Sequence, residues 1–137
     1  QRALAEAGLP AEGLLETGDF GYESGARATE ALLARNPDLT AIIASNDQMA
    51  LAALEVARER RLSVPDDLSL ISFDNTPIVR FSQPPLTAVD QPIAETVSRA
   101  VEQLIARAPD GHDDAVIEVA AGLVERASTA PPPSAKA

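Results

Sequence analysis

Three short polar clusters carry the side chains best suited to recognising a small molecule: Gly18-Asp19-Phe20, Ser45-Asn46-Asp47 and Asp74-Asn75-Thr76. A carboxylate accepts hydrogen bonds from neighbouring hydroxyls, an amide both donates and accepts, and a phenyl ring covers the apolar face of a sugar or base. Such a site would discriminate among similar ligands, because an unmatched buried polar group costs about 1–3 kcal/mol. Each cluster also has a local reading. Ser45 with Gln48 fits a capping box, and Asn46 or Asp47 could cap instead. Asp74 fits a turn, and Phe20 fits a core. What favours a shared site is that each cluster directly follows a strand candidate.

Catalysis has less to work with. His112 is the single histidine and sits in Asp110-Gly111-His112-Asp113-Asp114, which reads as a solvated acidic loop rather than a metal site. The chain has no cysteine, which excludes disulfides, thiolate metal sites and a Cys nucleophile. No phosphate-binding Gly-x-x-x-x-Gly-Lys stretch occurs. Carboxylates are plentiful, but no spacing singles out a catalytic pair. The run Arg58–Arg61 is mixed in sign and suits a solvated helix end. No catalytic residue, cofactor or metal ligand is expected.

The elements that must position the three clusters follow from periodicity and punctuation. Gln1–Ala7 reads as the tail of a helix under way, stopped by Gly8-Leu9-Pro10, so a fragment or a processed chain is expected. Gly13–Glu16 is a short strand candidate and Tyr22–Arg35 a helix, broken by Asn36-Pro37-Asp38. Thr40–Ala44 is strand, Asn46–Arg61 helix and Leu68–Phe73 strand. A proline-bearing loop over Asp74–Pro85 leads to strand Leu86–Val89. Pro92 suits a first helical position, with Ile93, Val97, Val101, Leu104 and Ile105 marking the face of the next helix. Val116–Arg126 reads as extended, with room for two strands around Gly122. The tail Ala130–Ala137 is expected to be disordered. Alternation of strands and helices with crossover-length connections predicts an α/β fold with a parallel sheet. In such sheets ligands bind beyond the carboxyl ends of the strands, which is where the three clusters would fall.

Composition bounds the partners. The 137 residues suffice for one domain or most of one, and 45% hydrophobic against 23% charged residues allows a packed core. Aromatics are only 3%, so that core must be aliphatic. A net charge of -10 makes these residues poor binders of nucleic acid or anionic membranes on their own. No apolar run approaches a membrane span.

Four stretches together resemble the closing half of lac repressor (LacI/GalR) family regulators: Thr40–Leu54 (TAIIASNDQMALAAL), Val64–Asp74 (VPDDLSLISFD), Pro84–Pro92 (PPLTAVDQP) and Leu123–Thr129 (LVERAST). Gly18–Gly25 (GDFGYESG) fits the same family. The resemblance implies a lobe of the periplasmic-binding-protein-like type I fold, incomplete at its start. It divides the chain into a C-terminal lobe over residues 1–90, a crossover to the other lobe and return over 91–129, and the tail. It implies Phe20, Asn46, Asp74 and Gln91 as ligand contacts, supported by Asp19, Ser45, Asp47 and Ile93. It implies homodimer contacts at Met49, Ala53, Thr76, Ile78 and Phe81. The function implied is sensing of a sugar or purine effector in the cytoplasm, with operator DNA bound only through a helix-turn-helix outside these residues. A periplasmic sugar receptor for transport shares the fold, and an α/β enzyme using Asp47 or Asp74 is a further rival; fold alone separates none of them. Three departures from the family stand out: Ala52 and Ser72 where Gly is usual, and Asn75 where a second Asp is common.

Overall fold

The computed structural model describes residues 2–9, 11–106 and 116–132; His112 and its acidic neighbours lie outside the described residues, as does most of the tail. The elements are α1 (Arg2–Glu6), α2 (Tyr22–Arg35), β1 (Ala41–Ile43), α3 (Asp47–Glu59), β2 (Ser69–Asp74), a 3-10 turn (Pro77–Arg80), β3 (Thr87–Asp90), α4 (Ile93–Ala106) and β4 (Gly122–Val124). Strand order follows the sequence, β1-β2-β3-β4. The first three strands are parallel, in the register Ile42 to Leu70 and Ser72 to Ala88. β4 returns antiparallel beside β3, pairing Val89 with Leu123 and Asp90 with Gly122.

Local chemistry sets the boundaries. α1 ends where Gly8 takes a φ of +69°, with Leu9 N–H reaching back to Leu4 O at 2.8 Å. α3 ends the same way with a less suitable residue: Arg61 has φ +60°, and Leu62 N–H donates to Ala57 O at 2.9 Å. The core is aliphatic, built by Leu33, Ile42, Val56, Leu68, Leu70, Val79 and Leu86 with small alanines of α3 between them. Each fully buried leucine contributes roughly 1.5–3 kcal/mol. α2 lies close on α3 because Gly25 carries no side chain: a Cβ there would stand 2.7 Å from Met49 Cα.

Three expectations fail in whole or in part. Residues 13–16 form no strand and pair with nothing in the sheet. Gly13 turns with φ +74°, and its carbonyl accepts from Arg35 Nη1 and Asn36 Nδ2 at the end of α2 instead of from a ladder. Pro92 stands one residue ahead of its expected place: its carbonyl accepts Thr96 N–H at 2.9 Å, so it flanks α4 rather than opening it. Of the extended stretch 116–126 only Gly122–Val124 is strand, and residues 116–121 stay unpaired.

The returning segment is pinned firmly. Ser128, fully buried, inserts between β2 and β3: its carbonyl accepts Leu70 N–H, its hydroxyl donates to Leu70 O and accepts Thr87 N–H, at 2.6–2.8 Å. Ala130, expected in a disordered tail, exchanges two hydrogen bonds with the Ser69 hydroxyl. α4 is the opposite case. Its apolar stripe of Ile93, Val97, Val101, Leu104 and Ile105 is exposed along its whole length.

Candidate ligand site at the carboxyl edge of the sheet

The carboxyl ends of β1 and β2 and the turn before α2 bring the three polar clusters together. Asn46 is the N-cap of α3: its Oδ1 accepts Met49 N–H at 2.9 Å. Its Nδ2 donates to the Phe20 carbonyl at 2.8 Å. One amide therefore starts the helix and fixes the loop that carries the aromatic. The capping role expected for Ser45 and Gln48 falls to Asn46, whose extended backbone aims its side chain at the first turn. Ser45 and Gln48 are exposed beside it. Asn46 retains one amide hydrogen and one lone pair.

Phe20 is 64% exposed and held at φ +65°, a conformation unusual for a bulky residue. It is not core; it stands out from the edge as an uncovered ring. Asp19 organises this turn. Its carboxylate accepts Gly21 N–H at 2.9 Å, and its own N–H donates to the Ser24 hydroxyl. Hydrogen bonding to Ser24 and to the Gly21 N–H holds the Asp19 carboxyl below its ordinary range.

Asp47 is only 4% exposed yet ionisable, and it is fully partnered. Ser72 donates to Oδ1, and both the N–H and hydroxyl of Thr76 donate to Oδ2 at 2.6 Å. The first residue of α3 thereby ties down the turn after β2. Ser72, a departure from the family pattern, supplies one of these donors. The turn is sharp: Asp74 has φ +106° and Asn75 φ +61°. Asp74 is half-buried and accepts from Gln91 Nε2 at 2.6 Å. Burial first, and the nearby Asp47 charge second, push the Asp74 carboxyl up; the Gln91 hydrogen bond opposes them. Phe20 and Asn46 thus form one hydrogen-bonded pair and Asp74 and Gln91 another, and Asp47, next to Asn46, is bonded to the turn that follows Asp74. Ile93 lies exposed in the first turn of α4.

Not every expected contact residue has surface to offer. Ala53 is 1% exposed and packed in the core, so it cannot meet a second subunit. Met49 is partly buried, its methyl occupying the space where a Gly18 side chain would stand and its backbone against Gly25. Met49 sits on the side of α3 that packs on α2, and Ala53 on the side that faces the core. Thr76, Ile78 and Phe81 are exposed, and Phe81 at 82% is the barest. A groove of about 430 Å³ lies on another face, lined by Tyr22, Leu51, Leu54, Arg58 and Pro84 among others. It holds none of the strand-end carboxylates.

Arg126 was not singled out in the sequence, and it reaches the same edge. Nη2 donates to Asn75 Oδ1 and Nη1 to Leu86 O, both at 2.6 Å. Asn75 Nδ2 in turn donates to Asp90 at 2.8 Å. The only hint was that Arg126 lies inside the LVERAST stretch. Among the described residues no group of three or more His, Asp or Glu is placed to hold a metal ion, and no helix is long and apolar enough to cross a membrane.

A parallel sheet that presents an amide and a carboxylate at its strand ends, with an aromatic on the turn beside them, has the architecture in which α/β domains hold ligands. The comparisons name the family. The family model for the periplasmic binding protein-like domain matches residues 1–129, and the chain belongs to that family, in its lac repressor (LacI/GalR) type. Catabolite control protein A of Priestia megaterium is 46% identical over 77 residues, 56% of this chain and 23% of that protein. The transcriptional regulator DegA of Bacillus subtilis is 49% identical over the same shares. The solved structure of a CelR–cellobiose complex matches with a TM-score of 0.80 at 32% identity, over 93% of this chain and 39% of that one. The repressor AscG of Escherichia coli matches with a TM-score of 0.81 at 33% identity, over 93% and 46%. The match thus spans about a quarter of the curated relatives and less than half of the solved ones. These relatives are transcriptional regulators, not enzymes.

Proposed function

We propose that this chain is the effector-sensing portion of a bacterial LacI/GalR-type transcriptional regulator and not an enzyme. It binds a small molecule of the sugar or purine class at the edge carrying Phe20, Asn46, Asp74 and Gln91, with Asp19, Ser45, Asp47 and Ile93 in support. The observation that carries this reading is the exposed Phe20 ring, tied through Asn46 to the same edge as the half-buried Asp74. A ring that covers an apolar face beside a carboxylate that accepts from hydroxyls suits a sugar, and the CelR relative is described in complex with cellobiose. Residues 1–90 act as one lobe, and residues 91–129 cross to a second lobe and back. The bare apolar stripe of α4 supports that division, since it needs a partner. Binding favours one lobe arrangement and so changes operator affinity of a separate helix-turn-helix. The protein works in the cytoplasm as a homodimer. With Ala53 buried in the core, the dimer contact rests on Met49, Thr76, Ile78 and Phe81.

Calorimetric titration of the full-length protein with cellobiose, glucose and hypoxanthine tests the site. One of them should bind, and Asp74→Ala should abolish its binding while operator binding persists. Unchanged binding in that variant removes Asp74 from the site, and absence of operator binding in the unaltered protein favours a transport receptor. Sedimentation should show a dimer that Phe81→Glu dissociates; a monomer at micromolar concentration overturns the dimer.

A further inference from the structure

Three consecutive residues, the last of β2 and the two after it, each tether a different element. Asp74 holds Gln91, which follows β3; Thr76 holds Asp47 at the head of α3; Asn75 holds two partners at once. Its Nδ2 donates to Asp90 Oδ1 at 2.8 Å, at the end of β3 where the chain leaves for α4. Its Oδ1 accepts from Arg126 Nη2 at 2.6 Å, on the segment that returns through β4. The orientation of this amide follows from its partners: a guanidinium only donates and an ionised carboxylate only accepts. No other side chain of this size presents an acceptor and a donor to those two groups without charge. An αL backbone at φ +61° is also one that Asn tolerates well.

We propose that Asn75 is a positioning residue, whose amide locks the outgoing end of β3 to the returning Arg126 beside Asp74. The lock sets the spacing of the two chain crossings next to the ligand-facing carboxylate. That last point rests on the effector reading above, whereas the lock itself does not. An aspartate here, common at this place in the family the chain resembles, would keep the Arg126 contact and lose the Asp90 one. Two carboxylates would then face each other, with Asp74 on the same turn and Asp47 behind Thr76. Their repulsion would open the contact between this turn and the end of β3, and adding a proton to the pair would return a donor to it.

Hydrogen exchange of the full-length protein, without ligand or DNA, tests this. Asn75→Asp should raise exchange about tenfold at residues 89–91 at neutral pH, with residues 125–127 unchanged. Acidification should restore protection in that variant. Asn75→Ala should loosen both segments at every pH. The double variant N75D/D90N moves the amide across the contact, since an Asn at 90 can donate to the new carboxylate, and should recover the original protection. If N75D fails to fold, recovery of folding in the double variant supports the lock. Equal exchange in all variants, or no recovery in the double variant, overturns it. A failed effector titration with these exchange results intact would count against the ligand reading alone.

Discussion

The Asp47 carboxylate grips Thr76 twice, taking its backbone N–H and its hydroxyl on the same oxygen at 2.6 Å each. The contact joins the first residue of α3 to the turn after β2, 29 residues apart in sequence. It is the reason Asp74 is presented at all, because a turn with two successive positive φ values needs something outside itself to hold it.

Removing that grip should be expensive. Asp47→Ala leaves the fully buried Ser72 hydroxyl with only the Phe73 carbonyl at 3.5 Å, and the two Thr76 donors without their acceptor. A loss of about 3 kcal/mol is expected, since bonds to a charged group are the strong ones and orphaned donors keep their desolvation cost. Urea denaturation measures it. Asp47→Asn keeps one acceptor oxygen and should fall between. A loss below about 1 kcal/mol for the alanine variant would mean that water reaches these donors freely.

The helices and the three parallel strands were legible in the sequence because aliphatic runs and Gly/Pro punctuation act locally. α2 begins and ends where Tyr22 and Arg35 are expected, and β1, β2 and β3 fall within a residue of their expected bounds. Residues 13–16 misled because Gly-Leu-Leu-Glu has strand composition, but a strand exists only with a neighbour, and composition does not supply one. The site was half legible. Strand ends located Asn46 and Asp74, but which polar residue caps α3 depends on the extended backbone of Asn46. That Ala53 faces inward depends on how α3 packs on the core. Arg126 was hidden because its partners, Asn75 and Leu86, are 51 and 40 residues away.

Asp74 gives the protein a pH signature. Its folded pKa lies above the ordinary value of 3.8, so the fold favours its neutral form. A group raised in this way contributes its full stability below pH 3.8, and the contribution is lost as pH rises through the folded value. Asp74→Asn keeps an acceptor for Gln91 and removes the ionisation. The variant should therefore gain on the unaltered protein as pH climbs from about 4 toward neutrality. Thermal melts of both proteins across that range check the sign. A gap that widens toward acid instead would show that the Gln91 bond outweighs burial.

Asn46 separates capping from loop fixation. Asn46→Ala loses both and should cost about 1 kcal/mol from the cap alone. Asn46→Asp keeps the acceptor for Met49 N–H, and a negative charge suits a helix N-terminus. It also turns a donor to the Phe20 carbonyl into a repelling oxygen. Its melting temperature should stay close to that of the unaltered protein while amide exchange at residues 19–21 rises. Unchanged exchange there would show that Phe20 is held by its own turn and not by Asn46.

Gly25 and Gly18 both face Met49, and the difference between them is what each would strike. A Cβ on Gly25 meets Met49 Cα at 2.7 Å and Ala52 Cβ at 3.2 Å. A backbone atom cannot step aside without moving α3. A Cβ on Gly18 meets the Met49 methyl, the far end of an unbranched side chain that can rotate away, and the Ser24 hydroxyl at 3.0 Å. Gly25→Ala should therefore destabilise by about 1–3 kcal/mol, and Gly18→Ala by clearly less. Adding Ala52→Gly should recover only part of the Gly25→Ala loss, because the contact with Met49 Cα remains. α3 also carries Asn46 and Asp47 at its head, so displacing it should weaken effector binding through the site's geometry even though Gly25 lies away from the ligand. Calorimetric melts of the three variants order these effects. Equal losses at Gly18 and Gly25 would mean that α2 and α3 slide past each other at little cost, and that the close approach does not set the position of the α3 terminus.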